Sequence, residues 1–132
     1  MKIVDRKTFL ALPPETLFAK YEPCAFEDLC IKGETWGDDF LVQDITGSIE
    51  CCDSNEFVNR LDHSEATEES VPMDFECTGR DGCFDEGQLF AVWEPNDVRA
   101  LIERLGRCLP NVTAQTPTTG AIADTHINHQ TT

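Results

Sequence analysis

The stretch QLFAVWEPNDVRALIERLG, residues 88–106, decides the fold because it joins a strand directly to an amphipathic helix. Residues 88–94 are apolar on both faces, which is typical of a strand in the middle of a sheet. Pro95 suits a first helical position, where the missing amide hydrogen costs nothing. Gly106 supplies a C-terminal stop. Between them the helix carries one apolar stripe at the spacing i, i+3, i+4, i+7, formed by Val98, Leu101, Ile102 and Leu105.

Three segments upstream of this stretch also have the pattern of strands. Residues 16–21, 28–36 and 39–45 each concentrate apolar and β-branched side chains over a short run. Only Gly37 and Asp38 separate the second segment from the third. We therefore predict that these two segments pair as a hairpin across that turn.

A fourth segment, residues 71–77, alternates between apolar and polar side chains. Pro72 has no amide hydrogen to give to a neighbouring strand, which favours a position at the edge of the sheet. The alternation predicts that one set of side chains faces the interior, namely Val71, Met73, Phe75 and Cys77.

The N-terminal region predicts a short helix. Asp5 can cap a helix over residues 6–12, because its side chain can accept from a free backbone amide. The prolines that follow at positions 13 and 14 must end this helix, since neither can donate a hydrogen bond.

A second short helix is predicted behind Asp53. Asp53 and Glu56 form a capping box in which Asp stands where Ser or Thr is usual. About two helical turns are indicated by the spacing of Phe57, Val58 and Leu61. Residues 62–70 contain four acids and no large apolar side chain, so we predict that they form a solvated loop.

These elements predict an α+β fold. We expect an antiparallel sheet of about five strands, a C-terminal helix packed on one face, and one or two short helices. Residues 1–108 have the length and composition of a single compact acidic domain. Residues 109–132 are rich in Thr and poor in charge and large apolar side chains, which predicts a flexible tail.

The charge of the chain is large and unevenly placed. The chain has 25 acidic and 10 basic side chains, a formal net charge of −15. Residues 22–97 hold 21 of the acids and only three bases, Lys32, Arg60 and Arg80, whereas the ends are slightly basic. This composition argues against direct nucleic-acid binding, which needs clustered Lys and Arg. The simplest alternative meaning of the charge is solubility.

Neither a membrane span nor a secretory signal is expected from the sequence. No apolar run approaches the roughly 18 residues that a transmembrane helix needs. Residues 1–6, MKIVDR, lack the apolar region of a signal peptide. These observations predict a cytoplasmic protein.

The cysteines are expected to be free thiols. Their number, seven, is odd, and disulfide frameworks belong to secreted proteins. A zinc site would have to pair Cys24 with Cys30 and Cys77 with Cys83, and both spacings are wider than structural zinc sites use. The acidic turn at residues 81–87 lacks both essential carboxylates of a calcium loop. We therefore predict no metal site and no cofactor.

Catalysis is not expected either. His63 lies in the predicted acidic loop, and His126 and His129 lie in the predicted tail, where nothing holds a catalytic base in place. The sequence contains no nucleophile elbow, phosphate-binding loop, dinucleotide-binding motif or zinc-protease motif. We predict that the protein is not an enzyme and assign no catalytic residue.

Three segments carry a resemblance to a known group of proteins. The opening DRKTFLALPP at residues 5–14, TLFAKY at 16–21 and QLFAVW at 88–93 resemble small accessory proteins encoded by bacteriophages. Small acidic members of that group act as anti-defence inhibitors, including anti-CRISPR proteins and DNA mimics. The resemblance implies this class of function, and with it a location in the host cytoplasm. It transfers no functional residue to this chain.

The leading hypothesis is therefore a non-enzymatic inhibitor of the phage type. Its acidic surface would block a basic nucleic-acid-binding site on a host protein, with electrostatic attraction speeding encounter and aromatic contacts setting the lifetime of the complex. The predicted acidic residues are Asp38, Asp39, Asp44, Asp74, Glu76, Asp81, Asp85 and Glu86. The predicted aromatic anchors are Trp36 and Phe84.

Two alternatives remain open at the level of sequence. One is a protein that sequesters a small molecule such as a nucleotide, in a pocket between the sheet and the helix. This requires that the scattered bases converge on one site: Lys2, Lys7, Lys20, Arg99 and Arg104. The other is a phage structural protein with no ligand.

Overall fold

A computed structural model describes residues 1–110. The predicted tail lies outside the described residues, except for its first two positions. The strands are β1 (Lys2–Val4), β2 (Thr16–Glu22), β3 (Ala25–Phe26), β4 (Cys30–Trp36), β5 (Asp39–Asp44), β6 (Ser48–Ile49), β7 (Met73–Asp74), β8 (Gly79–Arg80) and β9 (Leu89–Val92). The helices are α1 (Arg6–Leu10), α2 (Ser54–Thr67) and α3 (Pro95–Gly106).

Seven of these strands form one antiparallel sheet, in the order β1-β9-β2-β4-β5-β8, with β3 pairing with the far end of β2. The predicted α+β fold is confirmed, and strands β2, β4, β5 and β9 lie within or close to the predicted segments 16–21, 28–36, 39–45 and 88–94. The sheet has more strands than the five expected, because β1, β3 and β8 are only two or three residues long. Runs of that length are too short for hydrophobic periodicity to reveal.

The core lies between α1 and one face of the sheet. Four aromatic rings fill it, those of Phe9, Phe18, Phe40 and Phe90. Phe9 from α1 stacks on Phe90 from β9, with ring centroids 3.9 Å apart and planes nearly parallel. The stretch quoted at the outset supplies Phe90 and the buried Val92, so its predicted place in the middle of the sheet is confirmed.

A buried lysine ties α1 to the sheet. A bulge between Lys32 and Thr35 in β4 puts both residues on the α1 side, although residues three apart in a regular strand face opposite ways. The Lys32 ammonium donates to the carbonyl of Leu12 at 3.0 Å and to Oγ1 of Thr35 at 2.7 Å. Burial lowers the pKa of Lys32 below its ordinary value. This base is therefore a structural residue that stays inside the fold.

The second helix is longer than predicted. Asp53 caps α2 by accepting from the Glu56 amide at 2.8 Å, which is one half of the predicted capping box. In place of the other half, the Glu56 carboxylate accepts from the Cys52 amide. The helix then continues to Thr67, through most of residues 62–70, which we predicted to be a loop. The loop prediction is wrong because an acidic composition does not exclude a helix, and Glu is a good helix former.

The predicted edge strand at residues 71–77 is also wrong in most of its length. Only Met73 and Asp74 are in a strand, and they pair with β6 in a separate two-stranded ribbon. The side chains of Met73 and Phe75 are exposed instead of facing the core. The alternation of apolar side chains is present, but nothing within residues 1–110 covers Met73 and Phe75.

The C-terminal helix begins at Pro95 and ends at Gly106, as predicted. Its first turn is held at the edge of the sheet, where the Asp97 carboxylate accepts from the N-terminal ammonium group and from the Glu94 amide. None of its residues is buried, and Ile102 is 65% exposed. The expected packing of its apolar stripe against the sheet is therefore limited to the N-terminal end of the helix.

Candidate functional site

Nine of the ten predicted partner-binding residues lie in three separate places, and the tenth, Asp39, is buried. One group, which we call the hairpin-end surface, has Asp38, Phe84 and Glu86 on the wall of one cavity. It also includes Trp36, which ends β4 just before the hairpin turn, and Asp85, which lies between Phe84 and Glu86 in the chain. A second pair, Asp44 and Asp81, lines a groove farther along the sheet. A third pair, Asp74 and Glu76, belongs to the β6–β7 ribbon. The structure therefore does not unite the ten residues into one acidic face.

The hairpin-end surface combines exposed aromatic and acidic side chains. Trp36 is 59% exposed at the end of β4, and Phe84 is 53% exposed in the loop that joins β8 to β9. Gly37 turns the hairpin with a positive φ of 62°, which glycine adopts without strain. Asp38, Asp85 and Glu86 are all exposed. Large exposed aromatic rings of this kind are enriched at protein–protein interfaces.

Asp39 was predicted in this surface but is a structural residue, only 1% exposed. Its carboxylate accepts from the amides of Phe40 at 2.9 Å and Gly82 at 3.1 Å, and from Nε of Arg80 at 2.9 Å. Burial works against ionisation, but these donors outweigh it and hold the pKa of Asp39 below its ordinary value. Asp39 therefore fixes the loop that carries Phe84 against the hairpin, and cannot itself contact a partner.

Asp81 was also predicted to be an exposed partner-binding acid, and this prediction is wrong. Its carboxylate is largely buried and forms an ion pair with Lys20 at 2.8 Å. The neighbouring Asp44 is exposed and accepts from the thiol of Cys30 at 3.5 Å. Burial and the charge of Asp44 raise the pKa of Cys30 to about 11, so this thiol stays protonated at neutral pH. The groove therefore contains a neutralised acid and an unreactive thiol.

The ribbon acids lie apart from both groups. Asp74 accepts from the amide of Glu76 at 2.8 Å, which uses one of its oxygens within the ribbon. The ribbon is joined to the main sheet where the side-chain amide of Gln43 donates to the carbonyl of Phe75 at 3.1 Å. Asp74 and Glu76 consequently form no continuous surface with the hairpin end.

One surface was missed from the sequence. Helix α2 buries none of its residues, and its apolar side chains Phe57, Val58 and Leu61 are exposed. Asp62 and Glu65 follow them on the same helix. The spacing of the apolar residues was recognised, but the wrong loop assignment for residues 62–70 hid the fact that acids and apolar groups share one continuous helix.

The side chains with catalytic or metal-binding potential are scattered. His63 lies on α2, and its Nε2 is 2.7 Å from a carboxylate oxygen of Glu69, with both side chains exposed. Across residues 1–110, no three His, Cys, Asp or Glu side chains come together as metal ligands. All seven cysteines are free.

The bases that a nucleotide site would need are divided among different places. Lys2 and Arg99 line a cavity of about 500 Å³ between the start of α3 and the sheet, beside Trp93. Lys7 lines another cavity, and Lys20 is already paired with Asp81. A cavity between sheet and helix is thus present as that alternative requires, but the bases do not converge on it.

No helix within residues 1–110 has the length and apolarity to cross a bilayer. Comparison with known protein families, with curated proteins and with solved structures finds no match to this chain.

Proposed function

We propose that this protein is a non-enzymatic inhibitor that covers a basic nucleic-acid-binding site on a partner protein with its hairpin-end surface. The observation that carries the proposal is the state of the three bases within residues 22–97. Lys32 is buried among backbone and hydroxyl acceptors, Arg60 is paired with Glu56 at 2.6 Å, and Arg80 is paired with Asp39 at 2.9 Å. None of these three bases pairs with an acid of the hairpin-end surface, and the segment as a whole keeps its large excess of acids.

An excess of charge of this size acts at a distance. A surface with one sign of charge raises the rate of association with an oppositely charged partner, and added salt reduces this effect by screening the charges. The Debye length falls from about 10 Å at 0.1 M salt to about 3 Å at 1 M. The proposal therefore requires association that slows markedly as salt is added.

The exposed aromatic rings explain how such a complex would persist. Trp and Tyr side chains that fill pockets on a partner carry much of the binding energy of protein interfaces, whereas charges at the rim contribute little. Trp36 and Phe84 are large, uncovered and held on a hairpin and a loop that Asp39 fixes together. We infer that they anchor the complex, while the acids around them guide its formation.

The resemblance to small phage-encoded proteins supports the more specific form of this proposal. An acidic inhibitor of a nucleic-acid-processing complex is the kind of protein that a phage uses against a host defence system. In this form the partner is a basic host protein, and the inhibitor acts in the host cytoplasm.

The experiment begins with affinity capture from a bacterial lysate at low salt, eluted with a salt gradient. Each captured protein is purified and its binding to the inhibitor is measured with and without duplex DNA or RNA. We expect nucleic acid and inhibitor to compete for the same partner. An affinity equal at 0.05 M and 0.5 M salt, or a complex that tolerates bound nucleic acid, would contradict the proposal.

Matched variants separate the surface from the net charge. We expect Asp38→Asn, Asp85→Asn and Glu86→Gln together to lower the association rate about tenfold at low salt. The control removes the same charge from another element, through Asp62→Asn, Glu65→Gln and Glu68→Gln, and we expect it to change the rate much less. Equal effects of both triples would show that net charge, and not the hairpin-end surface, drives binding.

A second function is favoured by one observation, the cavity of about 500 Å³ beside Trp93. Its size is that of a small-molecule site. Thermal-shift measurements against nucleotides test it, since a ligand at 100 times its dissociation constant stabilises the fold by about 2.7 kcal/mol. We rank this function second because Lys2 is also within 3.8 Å of Glu94 and Arg99 donates to Asn96.

A further inference from the structure

A cavity of about 460 Å³ lies between α1, the turn of the β4–β5 hairpin and the loop after β8. Its walls are apolar at Leu10 and Phe84, and they carry two bases and two acids. The volume is within the range of sites for small organic ligands. The cavity is distinct from the one beside Trp93, with which it shares no lining residue.

Arg6 gives this cavity an unusual polar group. The residue is 7% exposed, and its guanidinium lies 6.0 Å from the centre of the Phe40 ring. Its Nη2 donates to the carbonyl of Asp38. Its Nη1 is buried, and no group within residues 1–110 accepts a hydrogen bond from it.

An unpartnered guanidinium nitrogen of this kind is costly. Arginine stays protonated and carries only donors, so Nη1 cannot be satisfied by losing its proton. A buried donor left without an acceptor loses the full free energy of its hydration. The acceptor that best matches a guanidinium is a carboxylate, which can take two parallel hydrogen bonds from it.

The other charges around the cavity select among anions. Lys7 adds a second positive charge, whereas Asp38 and Glu86 add two negative charges. The four charged side chains of the lining sum to zero, so one further negative charge is tolerated and two are disfavoured. Leu10 and Phe84 offer contact to an apolar body. The lining therefore fits a monoanion with an apolar body better than a phosphate.

From this geometry we propose that the cavity at Arg6 binds a small monocarboxylate with an apolar body, whose carboxylate accepts from the Arg6 guanidinium. The side chains of Leu10 and Phe84 contact the body of the ligand. Nη1 is not solvent-accessible in this conformation, so binding includes a side-chain movement at the cavity wall, which is common on complex formation. The site goes beyond the proposed inhibitor function and does not depend on it.

The test uses benzoate as the probe and follows the ¹⁵N-labelled protein by NMR, including the Nε–H signal of Arg6. We expect saturable shifts at Arg6, Leu10, Phe84 and their neighbours, with a dissociation constant on the order of 10 mM for a ligand of nine heavy atoms. Benzamide has the same shape without the charge, and inorganic phosphate has more charge without the apolar body. Both are expected to bind at least tenfold more weakly.

Variants connect the shifts to the proposed chemistry. Arg6→Met is expected to abolish benzoate binding, and Glu86→Gln to strengthen it about threefold by removing a like charge. Arg99→Met, in the cavity beside Trp93, is the matched control and is expected to leave the binding unchanged. If Arg6→Met does not fold, the proposal is tested by Glu86→Gln and by the comparison of benzoate with benzamide. Glu86 is exposed, so we expect Glu86→Gln to fold.

Four results would overturn the proposal. They are no saturable shift with benzoate, equal binding of benzoate and benzamide, shifts centred on the cavity beside Trp93, and unchanged affinity in Glu86→Gln. The first would leave Nη1 hydrated by an internal water molecule, which is the commonest fate of such a group. None of these results bears on capture of a basic partner, so failure here is distinguishable from failure of the inhibitor function.

Discussion

The aromatic core and the outer helices of this protein are built in opposite ways. Helix α1 has five residues, yet it buries Phe9 completely against three other rings. Helices α2 and α3 are more than twice as long and bury no residue at all. The short helix is stabilised by what it covers, whereas the long ones are stabilised by their caps and by pairs along their own length.

The local signals of the outer helices are correspondingly strong. In α2, Asp53 caps the first turn, Glu56 accepts from the Cys52 amide at 2.6 Å, and the Arg60–Glu56 pair spans one turn. In α3, the Glu94 amide donates to Asp97. Helices held by local interactions leave their apolar side chains uncovered. The difference teaches that the core fixes the fold, whereas the outer helices keep their apolar side chains at least partly exposed.

Truncation of the core should have the largest effect. We expect Phe9→Ala to lower the free energy of unfolding by about 3–5 kcal/mol, because it leaves a cavity among Phe18, Phe40 and Phe90. This is a large part of the stability of a small domain. Urea unfolding followed by circular dichroism measures the loss.

The control truncates a large apolar side chain of an outer helix to alanine. Ile102→Ala in α3 is expected to change the free energy of unfolding by about 0.5 kcal/mol or less, since Ile102 is mostly exposed. Similar losses in the two variants would show that α3 is as well packed as the core, and the contrast drawn above would be wrong.

The contrast also explains how much of the fold could be predicted. Strand β9 and helix α3 lie at the expected residues because their signals are local. The strand is marked by a short apolar run, and the helix by the proline that begins it and the glycine that ends it. Strands β3 and β8 were missed because each has only two residues, too few to show a period. Strand β8 also pairs with β5, about forty residues earlier in the chain. Residues 71–77 were misassigned because alternation shows that a segment has two faces, without showing that anything covers one of them.

Prediction of the site met a different limit. Trp36, Phe84 and the acids beside them could be chosen from residue type, and they do lie at one end of the sheet. Asp39 could not be told from Asp38 by sequence, although one is buried and the other exposed. The difference arises from Arg80 and Gly82, about forty residues away, which meet Asp39 only after the sheet has formed.

The buried carboxylate predicts a specific dependence of stability on pH. The pKa of Asp39 lies below its ordinary value of 3.8 in the folded state. Below 3.8 the unfolded chain therefore binds more protons at this residue than the folded one, so the stabilisation from Asp39 is present above that pH and is lost as pH falls further. We expect the stability difference between wild type and Asp39→Asn to shrink as pH is lowered from 5 to 2.

Exposed acids provide the control for that measurement. Asp38→Asn changes the neighbouring carboxylate, which is exposed. This variant controls for the loss of one negative charge, because it leaves the hydrogen bonds of Asp39 intact. If the Asp39→Asn difference stays constant with pH, the carboxylate of Asp39 is not held ionised by Arg80 and the two amides.

Only a small effect on global stability is expected from a change in α2. Leu61→Ser should lower the free energy of global unfolding by about 1 kcal/mol or less, because it trades a partly exposed side chain for a poorer helix former without opening a core cavity. Hydrogen exchange should show more. Amides of α2 are expected to exchange through local opening and to be accelerated by Leu61→Ser, whereas those of β9 exchange with the whole domain and stay unchanged. If Leu61→Ser instead accelerates exchange of the α2 and β9 amides together, α2 unfolds only with the core. The outer helix and the core would then form one cooperative unit, and the contrast between them would be wrong.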